Sequence, residues 1–565
     1  MKKRDKKKCF RWGWLTLALF APSFCGWAQQ PEVFSDTPVC LTQPLDGPLL
    51  FSGNFGEIRA NHFHGGLDFK TGGVIGKPVR ALADGYISRI RVNHGSGYVL
   101  DVVYENGYTM VNRHLSAFVG EMADRIKQLQ YEEESWEVEL VPQSEEYPVK
   151  AGQVIGLSGN TGYSFGPHLH LDVLETSTGE YVDPLPFFAS RVQDKVAPKA
   201  LGWMLFPQAG RGVVNGRQQN QAFGCQPKNP VTAWGEIGVG IRAYDYMDGV
   251  SNRYGVHTVI LEVDGQEVFR SVVDRFSYEE HRYINAWTKG QYMKSFIEPG
   301  NHLRMLHAAG EKRGLITIDE ERPYRLVYTL RDALGNTSKV RFTIEGKKMS
   351  IVPVRHREKY VLHWDRVNYL QEPGLDLFIP RGNLYADVFL NYALKKDSGA
   401  VAFTYQLHDE IVPLHEACQL SIALRHFPVA DSTKYYMARV STNGRLTYVG
   451  GQMEQGRMQA RVRELGTFTV AVDTVPPVLT PINPKLWARN GRIVFKAKDE
   501  RTGVTSYRGT IDGAYALFGK PNAVDGLLVY EVDPEQVVKG QRHLVEMSVT
   551  DGCGNTTTEY FEFHY

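Results

Sequence analysis

A mainly β chain divided into several domains is predicted by three observations. Its 565 residues exceed what one hydrophobic core can organise, and at roughly 150 residues per domain they fill about three to five units. Hydrophobic residues make up 42% and charged residues 22%, ordinary globular usage, which excludes a globally disordered chain and a multi-span membrane protein. Aromatic residues reach 12% and Gly stands at 55, so short aromatic-rich strands cut by turns outnumber any helical pattern.

The first 28 residues read as an export signal. Lys2, Lys3, Arg4, Lys6, Lys7 and Lys8 form a basic start, Trp12 to Phe20 a short apolar core, and Gly26-Trp27-Ala28 a cleavage site with small residues at both required positions. The apolar run is shorter than the roughly 20 residues a membrane span needs. Phe24, ahead of Cys25, is too bulky for a lipoprotein signal. The mature chain is therefore expected in the periplasm or at the cell surface, with no membrane span. Cleavage leaves 57 basic and 62 acidic residues, near −5 against +1 for the whole chain, and excludes nucleic-acid binding by bulk charge. Cys40, Cys225, Cys418 and Cys553 remain. They contain no C-x-x-C pair, and their spacing selects none of the three possible pairings.

The first domain spans 29–190, with its strand patterns from residue 47. "PVRALADGYISRIRV", "GYVLDVVYENGYTMV" and "QVIGLSGNTG" read as short strands between Gly-containing turns. Gly120 to Tyr131 interrupts them with Met122, Ile126 and Leu129 at helical spacing, and the acidic stretch up to Tyr147 reads as a surface insertion. Pro184 and Pro186 close the unit.

Beyond it lies an internal repeat. "VAPKA", "AYDYMDGVSN", "VDG" and "DALGNT" are answered in the same order by "VPPVL", "AKDERTGVTS", "IDG" and "DGCGNT". Two β-sandwich modules with Asp-Gly and Gly-Asn hairpin turns account for this, over 195–348 and 473–565. Residues 350–472 form a third β-rich unit between them. No segment after residue 200 is rich in helix. Asp245, Asp248, Asp264, Asp332, Asp499 and Asp551 stand at turn positions, where Asp is the default, and no calcium is expected there.

The chemistry-bearing residues all fall in the first domain. "NHFHGGLDFKT" places His64 and Asp68 four apart, "NRHLS" carries His114, and "GPHLHLDV" carries His168 and His170. Two imidazoles and a carboxylate are a donor set for zinc that leaves one tetrahedral position open to water. Residues i and i+2 of a strand share a face, so one histidine of the H-x-H pair can bind metal while its neighbour serves proton transfer or charge stabilisation. His62, His94, His408 and His415 are assigned no site.

"GKPVRALADGYI", "GYVLDVVYENGYTMVNRHLS" and "VKAGQVIGLSGNTGYSFGPHLHLDV", in that order behind His64-x-x-x-Asp68, resemble the lysostaphin-type (LytM-like) zinc metallopeptidases. The resemblance covers about residues 47–190, a quarter of the chain. It implies a duplicated-hybrid-motif peptidase domain, here followed by about three β-sandwich (Ig-like) domains. It also implies one Zn2+ held by His64, Asp68 and His170, with His114 and His168 acting as catalytic histidines that do not bind the metal. Asn112 stands where the family usually has Tyr, and Asp172 where it usually has Glu; both changes are expected to tune the site rather than abolish it. The insertion from Gly120 to Tyr147 is placed to cover or lengthen the groove.

The function this implies is an exported zinc metalloendopeptidase that cuts peptide bonds in peptidoglycan stems or cross-bridges. Two alternatives are a non-catalytic LytM-like regulator that activates another cell-wall hydrolase, and an extracellular protease with other peptide substrates. Regulators of that kind characteristically lack the zinc ligands, and here all three positions are filled. The β-sandwich domains are candidates for docking to the wall or to a cell-envelope protein, which fold alone does not decide.

Overall fold

The computed structural model describes residues 41–396 and 400–565. The expected export signal and Cys40 lie outside the described residues. Among the described residues strands take 48% and helices 7%, a mainly β fold. Among the described residues no helix is long and apolar enough to cross a membrane, and Cys225, Cys418 and Cys553 are free thiols.

The main sheet of the first domain is antiparallel. It comprises β1 (Phe51–Gly53), β2 (Gly66–Lys70), β3 (Gly85–Asn93), β4 (Gly97–Tyr104), β5 (Tyr108–Leu115), β6 (Val138–Leu140) and β7 (His168–Glu175). Their spatial order is β1-β2-β7-β5-β4-β3-β6. Alternation sorts β7 into two faces. Leu169, Leu171 and Val173 are fully buried in the core, and His168, His170 and Asp172 share the opposite side. A small second sheet joins Pro78–Arg80, Ala117–Phe118 and Val154–Leu157. The last of these strands leads through a loop into β7.

The insertion is more than a surface excursion. Helix α1 (Glu121–Glu132) buries Met122 and Ile126, as the spacing predicts, while Leu129 is only half-buried and Gln130 is the third buried residue. Within the following acidic stretch Trp136 and Val138 are buried, and β6 pairs with β3 as a seventh strand. The acids alternate with these apolar residues and take the solvent side, which disguises the strand in the sequence.

Three β units follow. Residues 199–346 build one 11-stranded hydrogen-bonded network around Trp203, Leu205 and Tyr328. Strand Val231–Tyr244 joins its faces, pairing antiparallel with Lys199–Val214 and parallel with Thr337–Gly346. The same core takes in Phe55 and Phe63 of the first domain. Two five-stranded sheets between 368 and 472 enclose a second core containing Leu377, Met437 and Phe468. A three-stranded and a four-stranded sheet between 478 and 564 enclose a third, around Trp487, Phe495 and Tyr530.

The sequence repeat is a repeat of hydrogen bonds. In the first copy Asp332 Oδ1 accepts from the N–H groups of Leu334 and Asn336, while Asn336 Nδ2 donates to Asp332 Oδ2 and to the Asp194 carbonyl. In the second copy Asp551 Oδ1 accepts from Cys553 and Asn555, while Asn555 Nδ2 donates to Asp551 Oδ2 and to the Asp473 carbonyl. Ser338 and Thr557 then bond the carbonyls of Pro198 and Pro477. Asp-x-x-Gly-Asn-x-Ser in the first copy and Asp-x-x-Gly-Asn-x-Thr in the second build the same turn, because the required groups are one carboxylate, one amide and one hydroxyl.

Carboxylate oxygens of Asp194, Asp245 and Asp332 lie within 4.8 Å of one another, as do those of Asp473, Asp499 and Asp551 at the equivalent positions. Most of these groups cap backbone N–H donors. Asp245 differs, because its buried Oδ1 has no hydrogen-bond partner. Burial, together with the facing carboxylates of Asp332 and Asp194, pushes Asp245 up to about 8. It is therefore protonated at neutral pH, which relieves the repulsion.

A carboxyl raised from about 3.9 takes up a proton on folding. Its contribution to stability is full below about pH 4 and is lost as pH rises through about 8. Denaturant midpoints of the wild-type chain should fall as pH is raised from about 5 to about 9, and Asp245→Asn should flatten part of that fall. An identical pH slope in the variant would show that Asp245 does not carry the proton.

Candidate metal centre

His64 follows the short hairpin of Ile58–Arg59 and His62–Phe63, and backbone bonds to Gly56 and Glu57 hold it in place. Asp68 on β2 and His170 on β7 are direct cross-strand partners, so adjacent strands alone bring their side chains together. His64 Nε2 lies 3.0 Å from Asp68 Oδ1 and 3.0 Å from His170 Nδ1, and His170 Nδ1 lies 2.8 Å from Asp68 Oδ1. All three residues are buried.

The outer atoms of the trio are tied down. His64 Nδ1 donates to the Asn54 carbonyl at 2.6 Å, and His170 Nε2 donates to Asp172 Oδ1 at 2.5 Å. A carbonyl can only accept, so it fixes the proton on His64 Nδ1 and turns the Nε2 lone pair inward. Asp172 does the same for His170 and leaves Nδ1 as its inward nitrogen. Asp172 Oδ2 accepts from Arg113 Nε at 2.7 Å, and Asp68 Oδ2 accepts from Arg59 Nη2 at 2.8 Å.

This pocket favours a cation at its centre. Burial opposes a charge on His170, but Asp172 and Asp68 outweigh it and lift that group to about 9. Burial keeps His64 below its ordinary value despite Asp68, so His64 presents a neutral nitrogen. Two nitrogens and one carboxylate oxygen converging within 3.0 Å, each anchored from behind, match the donor set and number of a zinc site with one open position.

His114 reaches the same pocket through a β-bulge. Tyr98 opposes Leu115 and Leu100 opposes Asn112, so β5 carries one residue more than β4 across this interval. His114 takes it up with φ of +62°, in the left-handed region. Its ring lies 4.9 Å from that of His168 and 5.9 Å from that of His170. His114 Nδ1 donates to the Thr161 carbonyl at 2.8 Å. Burial, then His170 and His168, push His114 down to about 3, leaving a neutral ring with its Nε2 lone pair free of that bond. His168 Nδ1 likewise donates to the Gly166 carbonyl at 2.8 Å, and its Nε2 lies 3.5 Å from Asp68 Oδ1.

The structure thus gathers His64, Asp68, His114, His168 and His170 into one pocket. The other histidines lie elsewhere. His62 is exposed, bonded to the Ala60 carbonyl and turned towards His281. His94 sits in a turn and stacks on Trp136 at 5.0 Å. His415 packs on Tyr283, and His408 accepts from the Asn391 N–H. Asn112 is buried in β5, with Leu100 and Leu171 as its strand partners. Asp172 supplies the carboxylate behind His170.

Sequence reasoning missed Arg59, Arg113, Asn54 and Thr161. The last two act through backbone carbonyls, which carry no residue signature. The side chain of Asn54 is itself held by Gly255 of the second unit, whose carbonyl accepts at 3.0 Å and whose N–H donates at 2.8 Å.

Comparisons with known proteins divide the chain. A Zu5-like domain model matches residues 359–473. A 134-residue stretch is 35% identical to the glycyl-glycine endopeptidase ALE-1 of Staphylococcus capitis, covering 23% of this chain and 30% of that protein. The DD-carboxypeptidase/endopeptidase Mpg of Neisseria meningitidis is 32% identical over 122 residues, 22% of each chain. The catalytic domain of lysostaphin from Staphylococcus simulans aligns in structure at 28% identity and a TM-score of 0.19, over 25% of this chain and 91% of that one. The chain thus spans about a third or less of the curated relatives it matches.

The purified chain is expected to hold about one zinc ion, and His64→Ala or Asp68→Ala to release it. Asp172→Asn, which weakens the anchor behind His170, should lower zinc affinity roughly 10- to 100-fold without emptying the site at saturating metal. Elemental analysis after dialysis and competition with a chromogenic chelator measure both effects. Unchanged zinc content in both alanine variants would place the metal elsewhere.

Proposed function

We propose that this chain, whose sequence relatives are lysostaphin-type peptidases, is an exported zinc metalloendopeptidase that hydrolyses peptide bonds in the stems or cross-bridges of peptidoglycan. The observation that carries this reading is the convergence of His64, Asp68 and His170 within 3.0 Å beside two further histidines. The names of the relatives support the substrate class, one a glycyl-glycine endopeptidase and another a DD-carboxypeptidase/endopeptidase.

When bound, zinc supplies a Lewis acid that polarises a carbonyl and brings the pKa of water towards roughly 7. His64, Asp68 and His170 are the residues that would hold it. His114 is neutral and its Nδ1 proton is committed to Thr161, so its Nε2 can take a proton from an attacking water. His168, oriented by Gly166, lies beside His114 in the same pocket, and its doubly protonated form would donate from Nε2 to charge that develops on a scissile carbonyl oxygen. A hydrolase needs both rings positioned, whereas a regulator that merely binds zinc does not.

His114→Ala and His168→Ala should each retain zinc and fold, and should lose cleavage by about 10²- to 10³-fold. The assay is release of soluble muropeptides from purified sacculi with no other hydrolase present. A wild-type chain that releases nothing but stimulates an added hydrolase would establish the regulator. Much faster cleavage of casein than of sacculi would move the substrate class to other extracellular peptides.

A further inference from the structure

The loop between Val154–Leu157 and β7 supplies the backbone acceptors of both non-ligand histidines, Thr161 for His114 and Gly166 for His168. Its two largest side chains do nothing to hold it down. Tyr163 and Phe165 are 63% and 81% exposed and touch each other ring to ring at 5.3 Å. On one side the first domain grips the loop through Thr161 Oγ1, which donates to the Leu115 carbonyl, and through the Tyr163 N–H, which donates to Gly95.

The other side is gripped by a segment more than 350 residues away. Gly162 N–H donates to the Pro521 carbonyl at 2.7 Å, and Ala523 N–H donates to the Gly162 carbonyl at 2.9 Å, a short parallel bridge. Gly162 has φ of +75°, and an added Cβ would lie 2.4 Å from Gly97 N, so glycine is required here by the close packing of the loop on residues 95–97 of the first domain. Asn522 Nδ2 donates to the carbonyls of Asn160 and Ser164, both at 3.0 Å. Its Oδ1 accepts from Val524 N–H at 2.9 Å, which fixes the amide in the donating orientation. Four hydrogen bonds from the C-terminal module therefore land on residues 160–164.

The module is seated by the insertion. Asp533 accepts from Lys127 of α1 at 2.8 Å, and Arg508 pairs with Glu134 at 2.5 Å. Gly519 lies flat against the Trp136 indole, where an added Cβ would come within 2.3 Å of Nε1. The insertion that sequence reasoning placed over the groove serves as the dock for this module.

We propose that the C-terminal β-sandwich is part of the peptidase machinery, with Asn522 as a positioning residue that holds the 160–166 loop behind His114 and His168. This rests on the peptidase reading. An imidazole is useful only in the orientation and tautomer its carbonyl acceptor sets. Two of the four bonds come from the Asn522 amide, so their loss frees the acceptor side of the pocket without touching a zinc donor.

The test uses the full chain with Asn522→Ala and Asn522→Asp. The aspartate keeps the size but turns an acceptor towards two carbonyls. We expect kcat on peptidoglycan to fall about tenfold in the alanine variant and further in the aspartate, with KM within about twofold and zinc retained. Amide hydrogen exchange should accelerate at residues 160–166 and not across the β-sheet. Unchanged kcat, with or without faster exchange, overturns the proposal. So does a loss of kcat that comes with zinc loss or with faster exchange throughout the domain. If the wild-type chain cleaves no peptidoglycan, the peptidase reading fails by itself; exchange then decides the brace, and unaltered exchange at 160–166 in Asn522→Asp overturns it.

Discussion

Two imidazole nitrogens and a carboxylate oxygen held within 3.0 Å of one another, in a pocket that little water reaches, form an arrangement a polypeptide does not adopt freely. Taking such groups out of water is costly unless each is hydrogen-bonded and the charges are balanced. The surrounding fold meets both conditions. Asn54 and Asp172 hold the back of each imidazole, and Arg59 and Arg113 offset the two buried carboxylates. The cross-strand pairing of Asp68 with His170 makes the sheet itself the ruler that sets their separation. The bulge at His114 spends one strained backbone position to turn a further ring into the same space.

Much of this was legible from residue types and spacing. Alternation along "HLHLDV" places His168, His170 and Asp172 on one face, and the structure shows that face. The pairing of His64 with Asp68 was not legible from spacing alone. Four residues apart suggests one helical face, whereas here one residue follows the short His62–Phe63 strand and the other lies on β2. His114 was still less so. Regular alternation along β5 would put it on the same face as Asn112, and only the extra residue of the bulge breaks that pattern. Backbone acceptors such as Asn54 and Thr161 leave no mark in a sequence, because any residue carries a carbonyl.

The C-terminal half shows the same division. Its repeat could be read because each recurring residue supplies a specific donor or acceptor to one turn, Asp332 with Asn336 and Asp551 with Asn555. The joining of the 199–346 strands into one network depends on a parallel pairing between residues more than 100 positions apart, which local pattern cannot reveal. The seats of the modules were equally hidden. Asn522 and Gly519 look like ordinary turn residues, and "SWEVEL" reads as acidic surface until Trp136 is seen to receive Gly519.

The two outward hydrogen bonds that fix His64 and His114 end on segments held by different β-sandwiches. Asn54, which accepts from His64, is bonded twice to Gly255, and the loop of Thr161, which accepts from His114, is bonded four times by residues 521–523. A spacer or a wall-binding appendage has no need of such contacts. On the brace proposed for Asn522, the orientation of His114 depends on docking of the C-terminal module, and such a dependence is reciprocal. Whatever draws that module from its seat would then loosen His114, and whatever orders the pocket would tighten the seat by the same free energy. Both outward bonds thus run through contacts between the first domain and a later module, which local sequence pattern does not reveal.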